Sequence, residues 1–282
     1  MPGAPDRLRN KQLGSARLIP TIAILGIICS PVSAFAFRPF DGTDGAVADV
    51  GEVEIEFQPA GVLREGSQTT LIGPWSVLNY GFAKDWEAVV EARLETPISP
   101  SGPSSLTATS AFLKHVLRPG SLQDQMGPSV ATEFGILLPE INGESSFGAH
   151  WAGIVSERWD WGTIHFNVVT ELTRDHHADM FVGAIVEGPS KWMVRPVAEV
   201  FFEEKFNDTQ TVSALVGLIW KVNDKLSLDV AVRKALMGSE PVTEFRAGMT
   251  FGFALDQLGG TKSMEAQMAI IPHPPFGACP IS

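Results

Sequence analysis

The 282-residue chain holds a single tyrosine and two cysteines beside 17 phenylalanines and 7 tryptophans. Its cysteines, Cys29 and Cys279, are too few for a disulfide framework. Past residue 36 no apolar run approaches the ~18 residues a membrane-crossing helix needs, which excludes a helical membrane protein beyond that point. No stretch there carries an apolar stripe at helical spacing either. Positive charge is scarce: 21 Lys and Arg face 32 Asp and Glu, a net charge of -11, which argues against a nucleic-acid partner. Apolar residues, 44% of the chain, are spread along its length, so intrinsic disorder is excluded as well.

What is present begins with an export signal. Arg7, Arg9, Lys11 and Arg17 precede the apolar core Leu18–Cys29, and Ala34-Phe35-Ala36 follows as a small-x-small cleavage pattern. This predicts a signal peptide over residues 1–36. Ile28 stands where a lipoprotein signal would need a small residue, so Cys29 is not read as a lipidation site.

From residue 51 onward the dominant pattern is alternation with period two, the mark of strands that bury or cover one face only. Gly51–Pro59 sets Val53, Ile55 and Phe57 against Glu52, Glu54 and Glu56. Trp86–Thr96, Gly162–Thr173, Thr211–Val222, Leu226–Ala235 and Val242–Phe253 alternate in the same way. Six weaker segments bring the expected total to about twelve strands. A sandwich and a transmembrane barrel both alternate. The alternating rows run to about nine to eleven residues, the length that crosses a bilayer at a tilt, where sandwich strands are nearer five or six. The fold class is therefore all-β: a single-chain antiparallel transmembrane β-barrel of about 12 strands, with N- and C-termini periplasmic. In that register Trp86, Trp159, Trp161, Trp192 and Trp220 gather at one interface, as an aromatic girdle does. Pro59, Pro97 and Pro139 are expected to close strands at the opposite rim, and Pro74 and Pro196 to mark bulges. Asn79–Trp86 and Val222–Lys225 read as tight turns. The domain reading is a signal peptide (1–36), an N-terminal plug segment (37–50), the barrel (51–253) and a tail (254–282).

Four stretches, FRPFDGTDGAVADVGEVEIEF (Phe37–Phe57), LNYGFAKDWEAVVEARLE (Leu78–Glu95), WGTIHFNVVTE (Trp161–Glu171) and LSLDVAVRKAL (Leu226–Leu236), resemble the outer-membrane transporter family labelled for the MetA (meta-cleavage) pathway of phenol degradation. The resemblance covers most of the chain after residue 36 and rests on turns and strands, with no catalytic motif to carry over. It implies an outer-membrane passive pore or transporter admitting small molecules, with aromatic or hydrophobic compounds as candidates. A tail after Phe253 departs from a barrel that ends on its last strand.

The polar face of the alternating strands assigns a lumen. It comprises Glu87, Glu91, Arg93, Glu95, Glu133, His165, Asn167, Glu171, Arg195, Glu199, Lys221, Asp229, Arg233, Glu244 and Arg246. These residues can form a charged permeation path, or can pair with one another to support the wall. Arg93, Arg195, Arg233 and Arg246 are the constriction candidates. Phe37, Phe40, Asp41 and Asp44 are plug candidates, the aspartates meeting lumenal arginines and the aromatics offering an apolar surface. Asp175-His176-His177-Ala178-Asp179 mixes metal-ligand types, but a lone loop of this kind lacks converging partners, so no metal or cofactor is assigned. No G-x-S-x-G is present and His165 has no evident serine partner, so the chain is not read as an enzyme; a lipid hydrolase or a structural barrel are the alternatives. The expected partners are outer-membrane lipids, a small-molecule solute and the general barrel-assembly machinery.

Overall fold

Alternating side chains need a surface on each face of a strand, and the chain provides both by closing one sheet on itself. A computed structural model describes residues 38–255. Residues 1–36, expected to be a signal peptide, Phe37 and residues 256–282, nearly all of the expected tail, lie outside the described residues. Twelve strands follow in order: β1 (Glu52–Glu65), β2 (Gln68–Ala83), β3 (Trp86–Ser99), β4 (Ser105–Arg118), β5 (Ser129–Leu137), β6 (Gly148–Trp159), β7 (Gly162–Leu172), β8 (Ala178–Glu187), β9 (Val194–Lys205), β10 (Thr209–Asn223), β11 (Leu226–Met237) and β12 (Glu240–Ala254). Each pairs antiparallel with the next, and β12 returns to β1 from Glu52↔Ala254 to Glu65↔Val242. Closure leaves no unpaired edge, the condition under which a sheet can stand in lipid. Because twelve is even, β1 begins and β12 ends at the same rim, called here the near rim. A 3₁₀ turn, Ser121–Gln123, lies in the β4–β5 connection.

The outward face is apolar. Val90, Phe166 and Val216 are 51%, 45% and 64% exposed, which is the burial pattern of a protein whose hydrophobic surface faces lipid rather than a core. Trp159 and Trp161 stack at 5.4 Å at the near rim, where Trp86, Trp192 and Trp220 also lie. Trp86 covers His115 of the neighbouring strand at 4.1 Å.

The prolines correct three expectations. Pro59 does not end β1; it lies inside the strand, where pairing with β12 slips between Phe57 and Ala60. Opposite it, Gly73 and Pro74 form a bulge in β2 against β3, between Ile72 and Trp75. Each extra residue reverses which parity faces inward, so Glu54, Glu56 and Gln58 are followed on the inside by Leu63 and Glu65. Pro97 likewise lies within β3, paired with Thr70. Pro74 thus sits at a bulge, whereas Pro196 pairs with Leu218 without one. The Pro196 carbonyl accepts from Gly188 N, one residue past the end of β8, so its missing N–H falls where no ladder partner exists. The turn expected over Asn79–Trp86 is shorter: β2 runs to Ala83 and only Lys84 and Asp85 remain.

Candidate functional site

Every residue assigned to the polar face stands on the inside of the barrel or at its rims, and the lumen divides into two halves. Residues 38–50 run through the near half, held by the wall at nearly every step. The Arg246 guanidinium on β12 donates to Pro39 O at 2.8 Å and to Asp41 Oδ1 at 2.7 Å, while also binding Glu244 at 2.9 Å. Glu199 on β9 accepts from the backbone N–H groups of Asp41 and Gly42 at 2.8 and 2.7 Å. Asn167 on β7 binds Thr43 through both its oxygen and its nitrogen. Glu87 accepts from Ala48 N at 2.6 Å, and Lys114 on β4 reaches Thr43 and Asp44, each at 3.1 Å. Arg38 is fixed by Gln58 at 2.5 Å and by Asp229 at 3.4 Å. Burial opposes the charge of Asp41, but Arg246 and Arg233 outweigh it and hold the carboxyl below its usual range. Burial likewise works against Asp44, and Lys114 overrides it.

Small residues on the wall make the passage of this segment possible. A methyl group on Gly248 would collide with Arg38 Nε, and one on Gly81 would collide with the carbonyls of Ala48 and Asp49. Phe40 packs on Ile185, Val197, Leu215, Ile219 and Ala231, an apolar core enclosed by the barrel. Leu215 and Ile219 therefore face inward, in a lumen the alternation had made entirely polar on this strand; their outward neighbours Val216 and Leu218 are apolar too, so the alternation read for Thr211–Val222 does not hold over these residues.

The other half is open. A cavity of about 600 Å³ lies over the segment, extends beside it past Ala48, Glu54, Asn79 and Glu87, and reaches the rim opposite the near rim, where Glu65 and Met237 end their strands and Arg174 belongs to the β7–β8 loop. Its floor is formed by Phe40, Asp41, Thr43 and Asp44, and its walls include Glu91, Arg93, Glu133, Glu171 and Arg233. Trp75, brought inward by the bulge, donates to Glu91 at 2.7 Å and lies against three guanidiniums, those of Arg38, Arg93 and Arg246, at 5.2, 5.4 and 5.7 Å. Phe112 stacks on His150 at 4.4 Å, and His150 bridges Glu171 at 2.7 Å and Glu133 at 3.4 Å.

Three of the four constriction candidates come together near Trp75 or the segment: Arg93, which pairs with Glu95 at 2.5 Å, Arg233, which pairs with Glu244 at 2.9 Å, and Arg246. Arg195 does not join them. It sits at the start of β9 and pairs with Glu187 at 3.2 Å. Lys221 binds Asp224 at 2.8 Å in the near-rim turn, away from the cavity. Arg38, Gln58, Trp75, Lys114 and His150 were missed; the first lies before the strands, Gln58 continues the polar row of Glu54 and Glu56 just before the bulge, and the others fell in segments where the alternation was weak or broken.

His165 proves to have the serine partner that sequence did not reveal. Ser156 Oγ lies 2.8 Å from His165 Nδ1, and His165 Nε2 lies 3.0 Å from Glu187 Oε1. Ser156 and His165 are directly paired across β6 and β7, a register no sequence spacing shows. The serine is fully buried and accepts from Gly45 N at 2.9 Å, so this chain of bonds anchors the segment to the wall. In the metal-type loop, Asp175 is bound by Lys205 at 2.6 Å and by Thr173, which together hold its carboxyl down to about 2. The ring of His177 contacts Phe206 O at 3.0 Å.

No family model matches the chain, and no curated protein does. Among solved structures it is similar to an outer membrane channel from Pseudomonas putida F1, with a TM-score of 0.57 at 9% identity over 76% of this chain and 100% of that one. It is similar to the NanC porin with a TM-score of 0.52 at 7% identity, over 71% of this chain and 98% of the other. At such identities the likeness concerns the fold: this is a barrel of the outer-membrane type.

Proposed function

We propose that this protein is a passive outer-membrane conduit for small molecules, exported by residues 1–36 and inserted by the general barrel-assembly machinery with its near rim in the periplasm. The observation that carries the reading is the cavity of about 600 Å³, enclosed by a closed barrel, open toward one rim and floored by residues 38–50. A cavity of this size suits a small organic solute. Trp75, Phe112, Phe181 and Phe201 line it and offer apolar faces to aromatic or hydrophobic compounds. The strand and turn segments that resemble the MetA-pathway transporters, and the channels among its structural relatives, fit the same role. The ladders from β8 to β11 slip only between Lys221 and Asn223 by the near rim, so the route runs along the barrel axis rather than through the wall.

The hydrolase alternative gains a Ser-His-Glu chain but no substrate site, because Ser156 is sealed beneath Gly45 and does not line the cavity. The conduit reading is tested by reconstituting the full-length protein in liposomes. Swelling in small uncharged solutes is expected, along with recovery of a heat-modifiable species from the outer-membrane fraction of a two-membrane bacterium. Release by osmotic shock, or folded barrels that leave the vesicles impermeable, would overturn it.

A further inference from the structure

The fixed charges of the cavity are unequal in number and in how they are engaged. Eleven carboxylates and five lysine or arginine side chains line it. All five cations are already bound to acids. Arg38 holds Asp229 at 3.4 Å, Arg93 holds Glu95 at 2.5 Å, Arg174 holds Glu140 at 3.5 Å and Arg233 holds Glu244 at 2.9 Å, none of these acids being part of the lining. The fifth, Lys114, is spent on Asp44 in the floor. Little positive potential is therefore left to face a solute.

The carboxylates are differently placed. Among the described residues, no lysine or arginine side-chain nitrogen lies within 4 Å of the Glu65, Asp179 or Glu203 carboxylates; Lys205, opposite Asp179 on β9, is bound to Asp175 and Asp208 instead, and all three acids line the cavity toward its mouth. Glu171, Asp179 and Glu203 project inward from the adjacent strands β7, β8 and β9. Two further features of the same cavity are those of a place that receives a ligand. The Ser110 hydroxyl on β4 is buried, with 3% of the residue exposed, lines the cavity and has no hydrogen-bond partner among the described residues. Phe181 and Phe201 pack at 4.8 Å beside the carboxylates and offer ring faces, which attract cations as well as apolar groups. A narrow, low-dielectric passage lined by one sign of charge concentrates solutes of the opposite sign.

We infer that the conduit selects cations, and that its organic solutes are small amines bearing an aromatic or apolar portion rather than carboxylates. The inference rests on the conduit reading. The ammonium group meets Glu203 and Asp179 at the mouth, and the apolar portion meets Phe181 and Phe201.

Planar bilayers holding the full chain, with a KCl gradient at pH 8, give the first test. Potassium is expected to permeate several-fold better than chloride, and the ratio to fall toward one in the double variant Asp179→Asn, Glu203→Gln. Glu65→Gln, at the end of β1, gives a second and milder reduction should the double variant not fold. Liposome swelling should be faster with an arylalkylamine than with an aryl carboxylate of matched size, and the variants should lose that preference. Channels that favour chloride, or that conduct both ions equally, would overturn the inference while leaving the conduit reading in place. A folded barrel that carries no current, with or without residues 38–49, would overturn both.

Discussion

The two halves of the lumen are built from the same residue types and put them to opposite uses. In the half filled by residues 38–50, carboxylates, amides and guanidiniums are consumed one against another: Glu199 by two backbone N–H groups, Asn167 by Thr43, Arg246 by Pro39, Asp41 and Glu244. In the open half, the Glu65, Asp179 and Glu203 carboxylates form no ion pair among the described residues, Lys205 opposite Asp179 being bound to Asp175 and Asp208. Buried polar groups are tolerated when satisfied and costly when not. The filled half behaves as a protein interior turned polar, and the open half as a solvated surface folded inward. Side-chain identity alone does not tell a structural charge from a functional one; its neighbours do.

The largest way to break this comparison is to remove the filling. Deleting residues 38–49 takes away the floor of the cavity and leaves Arg246, Lys114 and Glu199 facing water. Single-channel conductance is expected to rise several-fold, and solute flux with it. Unchanged conductance from a barrel shown to be folded would place the segment outside the conducting path.

Next is the residue that joins the segment to the wall. Arg246 is 1% exposed, and its replacement by alanine leaves Asp41 without its cation and Glu244 with Arg233 alone. Removing one partner of a buried ion pair costs about 3–5 kcal/mol. The urea midpoint of Arg246→Ala should fall accordingly, with conductance moving toward that of the deletion. A midpoint equal to the parent's would show that the pair contributes nothing to holding the segment.

A third test sharpens the contrast between the two faces of one strand. Val90 faces lipid and Glu91 faces the cavity. Val90→Arg places a charge in the bilayer at about 2–4 kcal/mol and should reduce assembly of the heat-modifiable form. Glu91→Gln keeps an acceptor for Trp75 Nε1 and should assemble normally. Equal yields of the two would mean the faces are reversed.

How much of this was legible in sequence follows from where period two survives. On β3, β7, β11 and β12 polar residues recur at every second position, broken at Val89, Val169, Ala231 and Val242, and the inward set from Glu87 to Arg246 can still be read directly. Where Pro59 and Ala60 lie opposite Gly73 and Pro74, each strand gains a residue, parity flips, and Trp75 turns inward although the local pattern gives no hint of it. On β10, Leu215 and Ile219 face a hydrophobic filler, Phe40, rather than water, so an apolar inward residue looks like an outward one. The strand count and closure needed only local alternation. The pairing of Ser156 with His165, or of Arg38 with Asp229, depends on register and on the course of a segment that has no periodicity of its own.

The smallest expected effect comes from that serine, and it separates anchoring from chemistry. Ser156 stands between Gly45 N, which donates to it at 2.9 Å, and His165 Nδ1, 2.8 Å away. Ser156→Ala removes both contacts and leaves the Gly45 N–H buried without an acceptor, a loss of about 1–3 kcal/mol for an unsatisfied group. Gly45 is one anchor among several, so the segment should stay in place, with a slightly lower urea midpoint and a small increase in brief high-conductance events. Were Ser156 a nucleophile, the same substitution would instead abolish hydrolysis of short acyl esters and leave channel behaviour untouched. The parent protein is expected to show no such hydrolysis, because an ester carbonyl cannot approach an oxygen covered by the backbone of residues 43–46 and enclosed by β6 and β7. Ester turnover by the parent that is lost in Ser156→Ala would make this half of the lumen a catalytic one and reverse the assignment of the two halves.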